Sequence, residues 1–232
     1  MSPTLTRIVG ILVLLALSLT LASGPLHIRW LMYCFKPLAS ALIFAIPFAQ
    51  WRKCPSPFTF WITTGLLFSF VGDVLLIFPD RLFLHGLVAF LFAQISFLIA
   101  FSREVKFPAY LSLWLLYLAV FAAYFSFVLF PTLSPDLRLP VIVYVFFVST
   151  MGAQAMGRFL ILKNRPAGLA AIGALFFLLS DSLLAFDRFR SPIPAAIFFV
   201  LIPYYLALWL ITLSAQYLKG DRNNRLTPRK SV

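Results

Sequence analysis

Histidine is almost missing from this chain: His27 and His85 are the only two in 232 residues. Neither belongs to an HExxH or CxxC-type pattern, so the ligand supply of a zinc enzyme is too thin. No metal and no cofactor is therefore expected. The same scarcity argues against a Ser–His or Cys–His nucleophile. Cysteine is as rare, with only Cys34 and Cys54. About twenty helical residues would hold them roughly 30 Å apart, far beyond disulfide reach. Charge is scarce too, at 11% of residues. A soluble domain carries roughly 25%, so that class is excluded. Short segments of alternating polarity are absent, which excludes a transmembrane barrel.

Apolar residues fill that gap, at 62% of the chain. They fall into runs of about 20, the length that crosses a bilayer as a helix. The reading is an all-α membrane protein, one integral domain over 1–232. Its eight spans are expected near 5–23, 29–49, 58–78, 82–101, 109–130, 139–159, 167–186 and 193–216. The first run is long for the h-region of a cleaved signal peptide and is read as a span. Connections are short, and no soluble domain fits between helices. A basic tail follows at 217–232.

Loop charge sets the orientation. The N-terminus, every second loop and the tail hold thirteen Lys and Arg, the other side five. By the positive-inside rule both termini are cytoplasmic. The net charge of +12 is spread over loops and tail rather than one stripe, so membrane orientation explains it better than nucleic-acid binding. Compact loops favour a bacterial inner membrane, and a homodimer is left open.

Three charges break the apolar spans. Asp73 in FSFVGDVLLIF and Asp181 in LLSDSLLAF each lie about five residues before the outer end of a span, and Lys36 in MYCFKPLAS about seven residues inside one. At about 1.5 Å per residue all three reach one layer, roughly 7–11 Å below the outer boundary. Ionisable groups at such depth are costly and normally functional. Two carboxyls and one ammonium suit a polar cavity opening outward better than a Lys–Asp pair that pins helices. Tyr124 and Tyr144 reach a similar depth. Gln94 and Gln154 lie deeper, each more simply read as a satisfied polar group between helices.

The two aspartate stretches also resemble each other. DVLLIFPDR from Asp73 parallels DSLLAFDR from Asp181, four spans apart and in the same direction. Two tandem four-helix halves with a site at their interface would produce this. Outer-loop Asp80, Arg81, Asp187 and Arg188 read as solvated or headgroup-level charges.

Lys36-Pro37-Leu38, Gly72-Asp73-Val74-Leu75-Leu76 and Ser180-Asp181-Ser182-Leu183-Leu184-Ala185, in that order, resemble the YhhN family, which includes the TMEM86 lysoplasmalogenases. IGALFFLLSD and HGLVAFLFAQ add to the likeness, which covers most of the chain after the first span. Where the family often has histidine this chain has Gln94. The resemblance implies hydrolysis of the vinyl-ether bond of 1-alkenyl lysoglycerophospholipids, with choline or ethanolamine headgroups. A lysoplasmalogen and the surrounding membrane lipids would be the partners. Such chemistry needs a protonated carboxylic acid to protonate the β-carbon. It also needs a second carboxylate to stabilise the oxocarbenium ion and take a proton from water, a division of labour known from glycosidic acetals. Asp73 and Asp181 are the expected pair, in either assignment. Lys36 is the expected cation, serving a carboxylate or the lipid phosphate, with Tyr124 and Tyr144 as cavity lining. The competing reading is a small proton-coupled transporter with an Asp/Lys relay. Against it, the charges lie toward one face rather than at the midplane.

Overall fold

The computed structural model describes residues 3–226, with side chains described for 4–216 apart from 79 and 80. The side chains of the basic tail and of Asp80 lie outside the described residues. Among the described residues eight helices are long and apolar enough to cross a membrane, and there is no strand. They are α1 (Pro3–Ala22), α2 (Arg29–Lys53), α3 (Pro57–Leu75), α4 (Pro79–Phe101), α5 (Leu111–Tyr124), α6 (Pro135–Leu162), α7 (Arg165–Phe189) and α8 (Ala196–Leu226). An even number of crossings puts the start of α1 and the end of α8 on one side.

Local chemistry fixes where the two aspartate helices begin. Ser56 precedes Pro57, and its hydroxyl accepts from the Thr59 N–H at 3.1 Å. Asn164 does the same for α7, accepting from the Ala167 N–H at 2.9 Å with Pro166 in the first turn. Side-chain caps and an early proline are a strong helix start. α5 ends differently: after Tyr124 it loosens into a π-turn over Phe125–Leu129 and a 3₁₀ turn over Phe130–Thr132. Such π-turns are frequent beside functional sites, and this one walls the cavity described below.

Packing falls into two similar halves. α3 packs most extensively on α4, and α7 on α8. Between halves, α4 lies on α6 and α2 on α8. These contacts exchange with one another when α1–α4 is swapped for α5–α8. The sequence likeness extends further back than the aspartates: GLLFSFVGD from Gly65 matches GALFFLLSD from Gly173. Each of these glycines packs tightly against the next helix. A Cβ on Gly65 would stand 2.4 Å from the Phe97 ring, and one on Gly173 3.0 Å from the Ala207 carbonyl oxygen. Small residues that let helices approach are the usual basis of packing in lipid, where no hydrophobic drive joins apolar helices.

At the end of the bundle away from the aspartates, Arg158 of α6 is fully buried. Its guanidinium donates to Glu104 of the α4–α5 connection through Nε at 2.8 Å and also through Nη2. It also lies 4.9 Å from the Phe58 ring centroid. Gln154, one turn earlier, accepts from the Ala109 N–H and donates to the Val105 carbonyl. This polar knot ties that connection to α6 and satisfies backbone groups that lipid could not.

Candidate active site

Asp73 sits in the last turns of α3, almost wholly buried. Its Oδ1 is 3.4 Å from the Lys36 ammonium of α2. Its Oδ2 accepts from the Tyr204 hydroxyl of α8 at 2.7 Å and from the Ser40 hydroxyl of α2. Tyr205 completes the network by donating to the Lys36 carbonyl at 2.8 Å. Three helices therefore converge on one carboxyl, and both of its oxygens are engaged. A buried charge persists when it is paired and hydrogen-bonded, which fits Asp73 as a carboxylate.

Asp181 on α7 has different company. Its Oδ2 accepts from the Tyr144 hydroxyl of α6 at 2.6 Å, and among the described residues no salt bridge reaches it. Tyr144 stands 37 residues before Asp181, and Lys36 stands the same distance before Asp73 (73 − 36). The two halves thus place a cation and a phenol at one equivalent position. One fold repeat gives two carboxyls with opposite surroundings. Behind Tyr144, the fully buried Gln94 amide of α4 faces the phenol without a hydrogen bond of normal geometry. Gln94 thus differs from the satisfied polar group expected of it, whereas Gln154 is fully bonded.

Both carboxyls and Lys36 open onto one cavity of about 290 Å³ between α2, α3, α4, α7 and α8. Its outer rim carries Asp187, Arg188 and the start of α8. Asp187 is engaged there, accepting from the Ile193 N–H at 2.7 Å to hold the α7–α8 turn. On the other side of Asp181 lies a second cavity of about 60 Å³, walled by Phe121, Leu129, Val141, Val148 and other apolar side chains. Tyr124 and Tyr144 line this second space. The Tyr124 hydroxyl donates to the Ser182 carbonyl at 2.6 Å rather than to a carboxyl. Leu76, Phe83, Phe90 and Leu184 border both cavities, and so does Asp181. Asp181 therefore stands where a cavity holding the charged side chains meets one walled almost wholly by apolar residues.

The sequence reading named Lys36, Asp73, Asp181, Tyr124 and Tyr144, and all five line these two cavities. It missed Ser40, Tyr204 and Tyr205. Ser40 was findable, being one helical turn after Lys36 and so on the same face. The tyrosine pair carried no such signal, because only the packing of α8 on α2 brings it to Asp73. Among the described residues no group of three or more His, Cys, Asp or Glu side chains comes together as a metal site would require.

The profile of the YhhN family matches residues 31–215, which include both aspartates and Lys36. Lysoplasmalogenase TMEM86B of Homo sapiens is 36% identical over 166 residues, covering 71% of this chain and 68% of that protein. Lysoplasmalogenase TMEM86A of Homo sapiens is 32% identical over 198 residues, covering 84% and 80% respectively. Lysoplasmalogenase TMEM86A of Bos taurus is 31% identical over the same length. No solved structure matches the chain. With a family profile spanning seven of its eight helices and relatives above 30% identity over most of its length, this chain belongs to the YhhN family.

Proposed function

We propose that the protein is a membrane lysoplasmalogenase, cleaving the vinyl-ether bond of 1-alkenyl lysoglycerophospholipids that carry choline or ethanolamine. The products are a fatty aldehyde and the glycerophospho-base. One observation carries the chemical side of this reading: the buried Asp73 and the partly buried Asp181 share a cavity, and among the described residues only Asp73 has a cation within salt-bridge distance. The names borne by the relatives carry the substrate side.

Asp181 is the acid in this reading and Asp73 the carboxylate. Asp181 delivers its proton to the β-carbon of the alkenyl group, and the double-bond electrons form the new C–H bond. The α-carbon and ether oxygen then share an oxocarbenium charge, which the fixed negative charge of Asp73 stabilises. Preorganised charge of this kind, shielded from water, is usually the largest catalytic contribution. Water adds to the α-carbon and gives up a proton to a carboxylate. The hemiacetal collapses to the aldehyde and the glycerol hydroxyl, and Asp181 regains its proton. The compartments suit an amphiphile: the chain occupies the apolar cavity, the scissile bond lies at Asp181, and the phosphate points toward Lys36 and Arg188. The excess of loop Lys and Arg on one side supports cytoplasmic termini with the site toward the outer leaflet, and the compact loops support a bacterial inner membrane.

The test is aldehyde release from a defined 1-hexadecenyl lysolipid by the purified protein in detergent, run in ¹⁸O-labelled water with immediate trapping. Label is expected in the aldehyde, and the glycerol oxygen should stay with the base. Label in the glycerol hydroxyl would rule out protonation at carbon.

A further inference from the structure

A lipid has to reach Asp181, which lies inside the bundle. On the outer face of the bundle a third hollow, an apolar cleft of about 320 Å³, runs between α4 and α6. Leu84, Val88, Leu139, Pro140 and Val143 line it, and no polar surface is exposed in it. Leu84, Val88 and Leu139 are exposed, as membrane-facing residues are. Two further residues, Leu87 and Tyr144, line this cleft and also line the inner apolar cavity. The membrane face and the space beside Asp181 are thus separated by one leucine and one phenol. That phenol is the group donating to Asp181 at 2.6 Å.

We propose that the α4–α6 cleft is a lateral doorway and binding groove for the hydrocarbon chain of a single-chain lipid. This inference rests on the function proposed above and names the route by which that substrate enters. The chain leaves the bilayer between α4 and α6, displaces the Leu87 side chain, and lies along the Tyr144 ring into the inner cavity. Its first carbons then stop beside Asp181 while the headgroup stays in the cavity that holds Lys36 and Arg188. Two features argue for a hydrocarbon occupant. The cleft adjoins the inner cavity across the shared residues Leu87 and Tyr144, and it is wholly apolar where the other large cavity is lined by charges. Pro140, lacking an N–H, weakens the first turns of α6 at this point, where side chains would have to give way. Tyr144 then has two duties, holding the carboxyl and forming the door frame.

Two measurements test this on the full-length protein. The first is a saturated-ether lysolipid with a diazirine at its chain end, photolysed on the wild-type protein in bilayer nanodiscs. Label displaced by unlabelled ether lysolipid should map to peptides holding Leu84–Leu91 and Leu139–Tyr144. Displaceable label on α1, α2 or α8 instead would overturn the doorway. This result does not depend on turnover, so it stands even if no aldehyde is ever released. The second uses Leu84→Trp and Val143→Trp, which fill the cleft from opposite walls. The ratio of kcat/KM for a hexadecenyl substrate to that for a butenyl one should fall about tenfold or more, the scale on which pocket shape discriminates. Leu175→Trp, on the exposed face of α7, should leave that ratio unchanged. An unchanged ratio in both cleft variants would overturn the proposal.

Discussion

At the scale of single residues, the two carboxyls predict different mutants because their partners differ. Asp181→Asn removes a group that no ion pair supports among the described residues, so the protein should fold normally. Its turnover should fall on the order of a hundred- to ten-thousand-fold, as for loss of a general acid. Asp73 is harder to remove cleanly. Asp73→Asn leaves the Lys36 ammonium buried without its carboxylate, and Lys36→Met leaves the carboxylate without its cation. Breaking a buried pair from one side typically costs about 3–5 kcal/mol, whereas replacing both partners is often close to neutral. The Lys36→Met/Asp73→Asn double variant should therefore melt above either single variant in detergent while remaining inactive. Additive destabilisation would show that the pair contributes nothing, and activity in the double variant would remove Asp73 from the chemistry. Asp187→Asn keeps an acceptor for the Ile193 N–H and should stay active.

Among helices, the glycines that precede each aspartate by eight residues lie in tight contact with the neighbouring helix. At Gly173 a methyl group would meet the backbone oxygen of Ala207 at 3.0 Å and the Ile211 side chain at 2.9 Å. Backbone in a packed helix cannot move aside cheaply. Gly173→Ala should lower stability by about 1–3 kcal/mol, the usual cost of overpacking, read as a lowered melting temperature in detergent. Gly168 is a control on the same helix, since its methyl would meet only the Phe159 ring, at 3.2 Å. Equal melting temperatures for the two variants would mean that the α7–α8 contact is looser than described. Because α7 carries Asp181 and α8 carries Tyr204, the Gly173 variant should also lose activity beyond its loss of folded protein.

For the whole molecule, orientation decides which leaflet supplies the lipid. Cys54 is exposed between α2 and α3, and Ser191 is exposed between α7 and α8. These connections lie on opposite sides of a bundle with eight crossings. In Cys34→Ala vesicles of known sidedness, a membrane-impermeant maleimide should reach Cys54 only from the cytoplasmic side. Ser191→Cys in a protein lacking both native cysteines should label only from the other side. The reverse pattern would move the site to the cytoplasmic leaflet without altering its chemistry.

Eight spans, the gathering of Asp73, Asp181 and Lys36 toward one end of their helices, and the likeness of the two halves could all be read along the chain, although α3 ends only two residues after Asp73 and α7 eight after Asp181. Each rests on local terms: the hydrocarbon thickness a helix must cross, a fixed rise per residue, and residue identity at a repeated spacing. Which carboxyl has the cation could not be read that way, nor that Tyr204 and Ser40 also reach Asp73. Depth along a helix says nothing about azimuth around it, and a salt bridge needs both. Azimuth was settled when glycines let α7 close on α8 and α2 met α8 across the halves. The repeat supplied two equivalent carboxyls, and packing gave Asp73 a lysine and Asp181 a tyrosine.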